Sequence, residues 1–342
     1  MSRRGATLLL GTVLLAILTL ASSRLPVPYA ILGPGPTVNT VGEYDGKPVI
    51  TVSGQPTSTS KGHLNLTTVS VTDHITLLDA MRGWFDRRYA VVPRESVFPP
   101  NQSEKQVDEQ NAAEFRVSQN SAELAALREV GYPVQIAITE VRSDAAVRGV
   151  LRVGDVIEAI DGVSVTVASE LTSRVRAKKP GDSVAIRYAR GSETTTVTVR
   201  AGTAPGDAKR AALGVVIEQR PKPPLKISFD INDIGGPSAG LMFSLGIVDI
   251  LKPADLTGGR FIAGTGTIDD AGKVGAIGGI HQKLVAARAA GATVFLTPAD
   301  NCAEARQLIP DGLRLVKVTS LSDALASLDT LRLGRGSLPS CG

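Results

Sequence analysis

Two glycine-rich turns, each feeding a helix, set the frame for this chain. Gly235-Gly236-Pro237-Ser238-Ala239-Gly240 opens a long apolar helix, and about 45 residues later Gly278-Gly279-Ile280-His281-Gln282-Lys283 opens a second. A strand-like Thr293-Val294-Phe295-Leu296 and a turn follow, an order of elements that belongs to an α/β domain. Gly235 and Gly236 allow a tight backbone turn, and Pro237 suits the first turn of a helix, where no amide donor is lost. Ser238 then falls among the unpaired amides of a helix start. The pattern reads as a serine nucleophile with a lysine base. A serine hydroxyl attacks poorly unless a base removes its proton. A lysine with its ordinary pKa of about 10.4 is almost wholly charged at pH 7, so a site that uses it must bring that pKa to roughly 7.5 to 8.5. The apolar Ile277, Ile280, Leu284, Val285, Ala286 and Ala287 around Lys283 can do so by excluding water. The amides of Gly236, Ser238 and Ala239 are the candidates to hold an oxyanion.

The segments GGPSAG and GGIHQKLVAARAAGATVFLTPADN resemble the two active-site segments of the Lon protease family. The resemblance runs from about Ile227 to Asn301 and includes Thr265-Gly266, which matches a threonine-glycine pair of the family. It implies Ser238 as nucleophile, Lys283 as general base and Thr265 as the hydroxyl that orients the lysine. There is one departure: many Lon proteins have an acidic residue two positions before the proline-serine pair, where this chain has Gly235, and the nearest upstream acid is Asp233. Lon enzymes couple proteolysis to an ATPase, yet this chain has no Walker A motif. Its nearest string, Gly266 to Lys273, has the wrong spacing and lacks a Ser or Thr after the lysine. ATP-independent proteolysis is therefore expected, with no cofactor, metal or nucleotide implied.

A second catalytic reading exists, because Gly236-Pro237-Ser238-Ala239-Gly240 also satisfies the G-x-S-x-G pattern of α/β-hydrolases, with Asp269 or Asp270 and then His281 in triad order. A proline before the serine suits a helix start better than a strained elbow. His281 also lies two positions from Lys283, so on one helix only one of them can face Ser238. His63 and His74 have no partner pattern and read as polar surface groups. A third reading, from a different class, is a non-catalytic envelope adaptor that captures peptides beside a vestigial protease fold.

Upstream, Val134 to Val141 alternates like a strand, and Leu151-Arg152-Val153-Gly154-Asp155-Val156-Ile157 leads to Ile160-Asp161-Gly162. This string resembles the L-x-x-G-D-x-I-x-x-I-x-G signature of PDZ domains of the bacterial protease-associated type. Its physical sense is a turn at Gly154-Asp155, a short buried strand and a second tight turn at Asp161-Gly162. Helix-like Val167 to Ala177 and strands near Ser183 to Tyr188 and Thr194 to Arg200 complete the module. PDZ domains add an extended peptide, often a chain terminus, to a sheet edge. The edge is expected near Val134 to Ile138, including Ile136, with Gly131-Tyr132-Pro133 as the carboxylate loop; a PDZ fold used only as a spacer is the alternative.

The N-terminal run Ala6 to Ala21 is uncharged and, with Gly5 and Ser22, would extend about 27 Å as a helix, close to the thickness of a bilayer core. Arg3 and Arg4 on its short side predict a cytoplasmic N-terminus and an exported body at the cell membrane. A cleaved signal peptide ending near Ala21-Ser22-Ser23, or a twin-arginine signal, is the rival. A net charge of +4, from 37 basic and 33 acidic residues without a dominant cluster, does not imply nucleic acid. Cys302 and Cys341 would close a loop of about 40 residues if paired, which an exported compartment permits.

The expected fold is an α/β (α+β) Lon-type proteolytic domain with a β-rich PDZ domain and an N-terminal transmembrane helix. The segments are an anchor over 1–25, a strand and helix region over 26–125, the PDZ domain over 126–203 and the protease over 204–335. About 130 residues after the PDZ module are short for a Lon proteolytic domain, so strands around 45 to 75 are expected to complete it, with the PDZ module as an insertion. Protein or peptide substrates are the expected partners, together with the membrane, and a homo-oligomer is left open.

Overall fold

The computed structural model describes every residue except 1, 2, 223, 224, 232, 233 and 254, and side chains from Thr7 onward. Asp233, the upstream acid, lies outside the described residues. The larger body is built on a six-stranded sheet in the order Arg314–Val318, Val294–Pro298, Phe261–Gly264, His63–Thr72, Tyr29–Asn39, Ala90–Pro93. The first four strands run parallel and the last two antiparallel. Period-two alternation sends Leu64, Leu66, Ile262, Leu296 and Val316 to one face and Ala263, Phe295 and Leu315 to the other. Each face is then covered by helices. On the first lies Gly240–Leu251, buried from Gly240 to Asp249, because a helix apolar on all sides must be enclosed on all sides. Glu104–Glu129 and Leu321–Leu333 complete that enclosure. On the second face lies Ile280–Ala289 with the short helix Cys302–Ala305.

Segments far apart in the chain therefore share one sheet. Phe261–Gly264 pairs residue for residue with His63–Leu66, and Ile50–Ser53 pairs with Lys226–Phe229 in a separate two-stranded sheet. The helix Glu104–Glu129 starts on a capping box between Ser103 and Gln106. Its Phe115 meets Phe243 edge-on at 5.6 Å, and Phe229 meets the same ring at 4.9 Å.

The second body is an antiparallel sheet in the order Glu193–Arg200, Ser183–Arg190, Val156–Ile160, Val134–Val141, Val215–Pro221, with Val163–Ser164 paired to Val156–Ile160. It has its own core, in which Ile136, Ile138, Ile157 and Ile186 pack with Leu171 and Val175 of the helix Ala168–Arg176. Two expectations are corrected here. Val134–Val141 is not a sheet edge: Val215–Pro221 pairs along its whole length, Val134 included, and Ile136 is paired on its other side to Ile157. Gly131 and Tyr132 do not form a carboxylate loop either. Gly131, at φ 72°, ends the helix Glu104–Glu129, and the Tyr132 amide donates to the Leu127 carbonyl at 2.8 Å.

Arg3–Ser22 forms the expected N-terminal helix, with exposed leucines along it. Among the described residues no helix is long and apolar enough to cross a membrane, so the expected transmembrane span is not found. Cys302 and Cys341 are joined in a disulfide, which fixes the C-terminal tail against the core beneath Ile280–Ala289.

A chain beginning at residue 205 would lack three strands of the large sheet and the helix that covers Phe243. It is expected to show no cooperative thermal transition by circular dichroism; a sigmoidal transition with peptide cleavage would contradict the interleaved sheet.

Candidate active site

The serine loop is held from two sides. Gly236, at φ 84°, makes the turn, and its amide donates to the Asn111 carbonyl at 3.0 Å. Ser118 Oγ donates to the Pro237 carbonyl at 2.9 Å, so one face of the helix Glu104–Glu129 grips the loop twice. Opposite, the Ser238 carbonyl accepts from the Gly266 amide at 2.9 Å and from Thr265 Oγ1 at 3.1 Å. A Cβ at Gly240 would lie 2.8 Å from Ile268 Cγ2, so only glycine lets the helix start this close to its neighbour. The helix begins at Gly240, which leaves Ser238 just ahead of it, half-buried.

Lys283 comes from the other face of the sheet. Its helix starts at Gly279, in the left-handed region at φ 67°, where a side chain would collide with Val69. Asn301 braces the turn before it, accepting from the Ile277 amide and donating to the Ile277 carbonyl, both at 2.9 Å. Lys283 Nζ donates to Ser238 Oγ at 2.8 Å and to Thr265 Oγ1 at 3.0 Å. Thr265 is thus acceptor to the lysine and donor to the Ser238 carbonyl, which uses its hydroxyl in both senses. Lys283 is 3% exposed, and burial brings its pKa down from 10.5 to about 7. The structure therefore brings Ser238, Lys283 and Thr265 together within hydrogen-bond reach.

Of the three amides expected to hold an oxyanion, Gly236 is already committed to Asn111. The Ser238 and Ala239 amides have no acceptor among the described residues. Ser238 lines a cavity of about 800 Å³, whose lining includes Val69, Val71, Ile234, Thr267 and Ile277 and, among the described residues, no ionisable side chain other than Lys283. The pairing of His63–Thr72 with Phe261–Gly264 stops at Leu66, so Thr68 to Val71 pass the cavity with that side of the strand open.

The hydrolase triad does not assemble. His281 Nε2 lies 2.8 Å from the Glu304 carbonyl, turned away from Ser238 as its spacing from Lys283 requires. Asp269 accepts the amides of Ala271 and Lys273 within its own turn, and Asp270 faces the second body. Upstream, His63 stacks on Phe261, and Asp73, His74 and Glu104 cluster at the surface, where Arg94 already binds both carboxylates at 2.8 Å.

The second body has a different opening from the one expected. A groove of about 330 Å³ runs between Ala168–Arg176 and the sheet edge Val215–Pro221, walled by Leu171, Val175, Leu213, Val215 and Ile217. At its end Gly214 has φ 78°, and a Cβ there would lie 2.7 Å from Ala145. A peptide can extend this free edge as a further strand. The signal was Leu213-Gly214-Val215, apolar residues flanking a glycine before an alternating run, just past the boundary drawn at 203.

Comparison with known proteins agrees with the two bodies. Residues 107–201 match the family model of the PDZ domain, and residues 233–328 that of the Lon protease (S16) C-terminal proteolytic domain. Lon protease 2 of Herpetosiphon aurantiacus is 30% identical over 157 residues, which is 42% of this chain and 19% of that protein. A mitochondrial Lon protease homolog of Emericella nidulans is 40% identical over 81 residues, 23% of this chain and 7% of that protein. The chain thus spans less than a fifth of either relative. The solved PDZ domain of an SdrC-like protein from Listeria innocua is 27% identical, covers 25% of this chain and 93% of that one, and has a TM-score of 0.23. The chain carries a PDZ domain and a Lon-type S16 proteolytic domain.

Burial of Lys283 has a thermodynamic consequence. Its folded pKa, about 7, lies below the 10.5 of an exposed lysine, so the folded state binds fewer protons between those values. The penalty is complete below about pH 7 and fades as pH rises toward 10.5. Lys283→Met is expected to stabilise the fold at pH 6 to 7 by on the order of 3 kcal/mol, net of two lost hydrogen bonds, and to become destabilising by about 1 to 2 kcal/mol near pH 10.5, where only the lost hydrogen bonds remain. Thermal unfolding across that range checks both the sign and the pH dependence.

Proposed function

We propose that this chain is an ATP-independent serine endopeptidase that works with a Ser238–Lys283 dyad and takes chain termini into its PDZ groove. The observation that supports this most directly is a buried lysine nitrogen 2.8 Å from a serine hydroxyl, in a cavity that no carboxylate lines among the described residues. Neutral Lys283 Nζ accepts the Ser238 Oγ proton as Oγ bonds to the peptide carbonyl carbon. The Ser238 and Ala239 amides stabilise the oxyanion that forms. The lysine ammonium then protonates the departing amine as the C–N bond breaks. Lys283, neutral again, takes a proton from the water that cleaves the acyl ester, and Ser238 recovers its hydrogen. Thr265 acts through Lys283, as the acceptor that keeps Nζ aimed at Oγ.

The substrate lies extended against Thr68 to Val71, whose open side supplies main-chain partners, and uncharged side chains suit the cavity wall. An extracytoplasmic setting belongs to the same proposal, because the Cys302–Cys341 disulfide persists in an oxidising compartment. The adaptor reading gives no use to a desolvated lysine placed on a serine.

Cleavage of an unfolded protein by the full chain without ATP tests the dyad. Ser238→Ala and Lys283→Ala are expected to lose at least about a thousandfold in rate, and His281→Ala to stay within about twofold. Equal loss in His281→Ala would restore the triad. Absence of wild-type cleavage together with a Lys283 pKa near 10 would favour the adaptor. The rate of the wild type is expected to rise with pH through about 7, as Lys283 loses its proton, and then level off.

A further inference from the structure

The helix Glu104–Glu129 touches both candidate sites. Asn111 and Ser118 hold the serine loop, and the Ala122 carbonyl accepts from Ser244 Oγ within the serine helix at 3.2 Å. Near its other end, Arg128 reaches out of the proteolytic body. One terminal nitrogen donates to the Asp270 carbonyl, and the other donates to the Thr166 carbonyl at 2.6 Å and to Gln219 Oε1 at 2.7 Å. Its Nε is buried without a partner, so these contacts are what hold the guanidinium in place.

The partners of Arg128 are the two walls of the PDZ groove. Thr166 lies just before the helix Ala168–Arg176, and Gln219 belongs to the edge strand Val215–Pro221. Gln219 Oε1 also accepts the Ala168 amide, so this one side chain bridges strand and helix across the far end of the groove. Asp270 completes the junction, accepting from Ser169 Oγ at 3.0 Å and from Gln219 Nε2 at 3.3 Å. A peptide laid antiparallel on the edge strand, its carboxylate near Gly214, runs upstream toward Gln219. Once it pairs past Ile217, it occupies the space that Gln219 crosses. Gln219 must then leave Ala168, and Arg128 and Asp270 lose a shared partner.

Asp270 also sits on the hairpin that backs the catalytic serine. Thr267 of that hairpin lines the cavity, Ile268 packs against Gly240, and the preceding Gly266 amide binds the Ser238 carbonyl. Both routes from Arg128, along its own helix and through the hairpin, end on residues 236 to 240.

We propose that Arg128 is a positioning residue that makes the geometry of the serine loop depend on whether a peptide C-terminus fills the groove. A peptide held there is an effector of cleavage elsewhere, beyond any role as captured substrate. The proposal rests on the endopeptidase reading for its catalytic consequence and on the hydrogen-bonded junction for its route.

The test uses the full chain and a short peptide ending in Val-Val with a free carboxylate, its amidated form serving as control. Binding is followed by anisotropy of a label on the peptide, and cleavage by an internally quenched substrate blocked at both ends. The free-carboxylate peptide is expected to change kcat by at least about fivefold in the wild type, and the amide to leave it unchanged. It is also expected to alter amide exchange at 235–241 and 267–275. Arg128→Met is expected to bind the peptide yet lose both responses, Arg128→Lys to regain part of them, and Gln219→Leu to lose them should Arg128→Met fail to fold. Exchange changes confined to 168–176 and 213–221, a full response in Arg128→Met, or no peptide binding at all would overturn the proposal. Exchange transmitted to 235–241 in a chain that cleaves nothing would leave the coupling standing and remove the endopeptidase reading.

Discussion

A lysine taken out of water is held neutral or held at a cost, and Lys283 is enclosed by nearly every layer of the larger body. The sheet lies on one side of it, its own helix and the disulfide-pinned tail on the other, and the serine loop closes the end. Among the described residues no carboxylate lines the cavity, and burial brings the amine's pKa near neutrality, to about 7. An acid at its side would keep it charged. On the endopeptidase reading the apolar surroundings therefore set the protonation state on which the hydroxyl at 2.8 Å depends.

Those features were legible because each is written locally. The two glycine turns, the residues flanking Lys283, Thr265 and the L-x-x-G-D string each fit within a dozen residues, where backbone geometry and side-chain spacing constrain one another directly. What could not be read was pairing between distant segments. Nothing in His63–Thr72 announces Phe261–Gly264 as its neighbour. The PDZ groove was misplaced for the same reason. Val134–Val141 alternates as an edge strand would, and only the return of Val215–Pro221 from past the expected boundary shows it to be interior. Gly131 illustrates a local ambiguity, since a left-handed glycine serves a helix end as well as a ligand loop.

The topology has a mechanical consequence. The PDZ body is inserted between Ala90–Pro93, at one edge of the proteolytic sheet, and Phe261–Gly264 within it, so the chain must leave that sheet and come back to it. It leaves by the helix Glu104–Glu129 and returns through Lys226–Phe229, and the two connections place Phe115 and Phe229 on the same ring, Phe243. Phe243 belongs to the first turn of the helix that Ser238 precedes. Tightly packed aromatic contacts do not deform gradually, so rotation of the inserted body would shift both connectors against that ring. An insertion at the end of a flexible loop would have isolated the two bodies, whereas a rigid helix and a paired strand cannot. The serine loop is built where the inserted domain is attached.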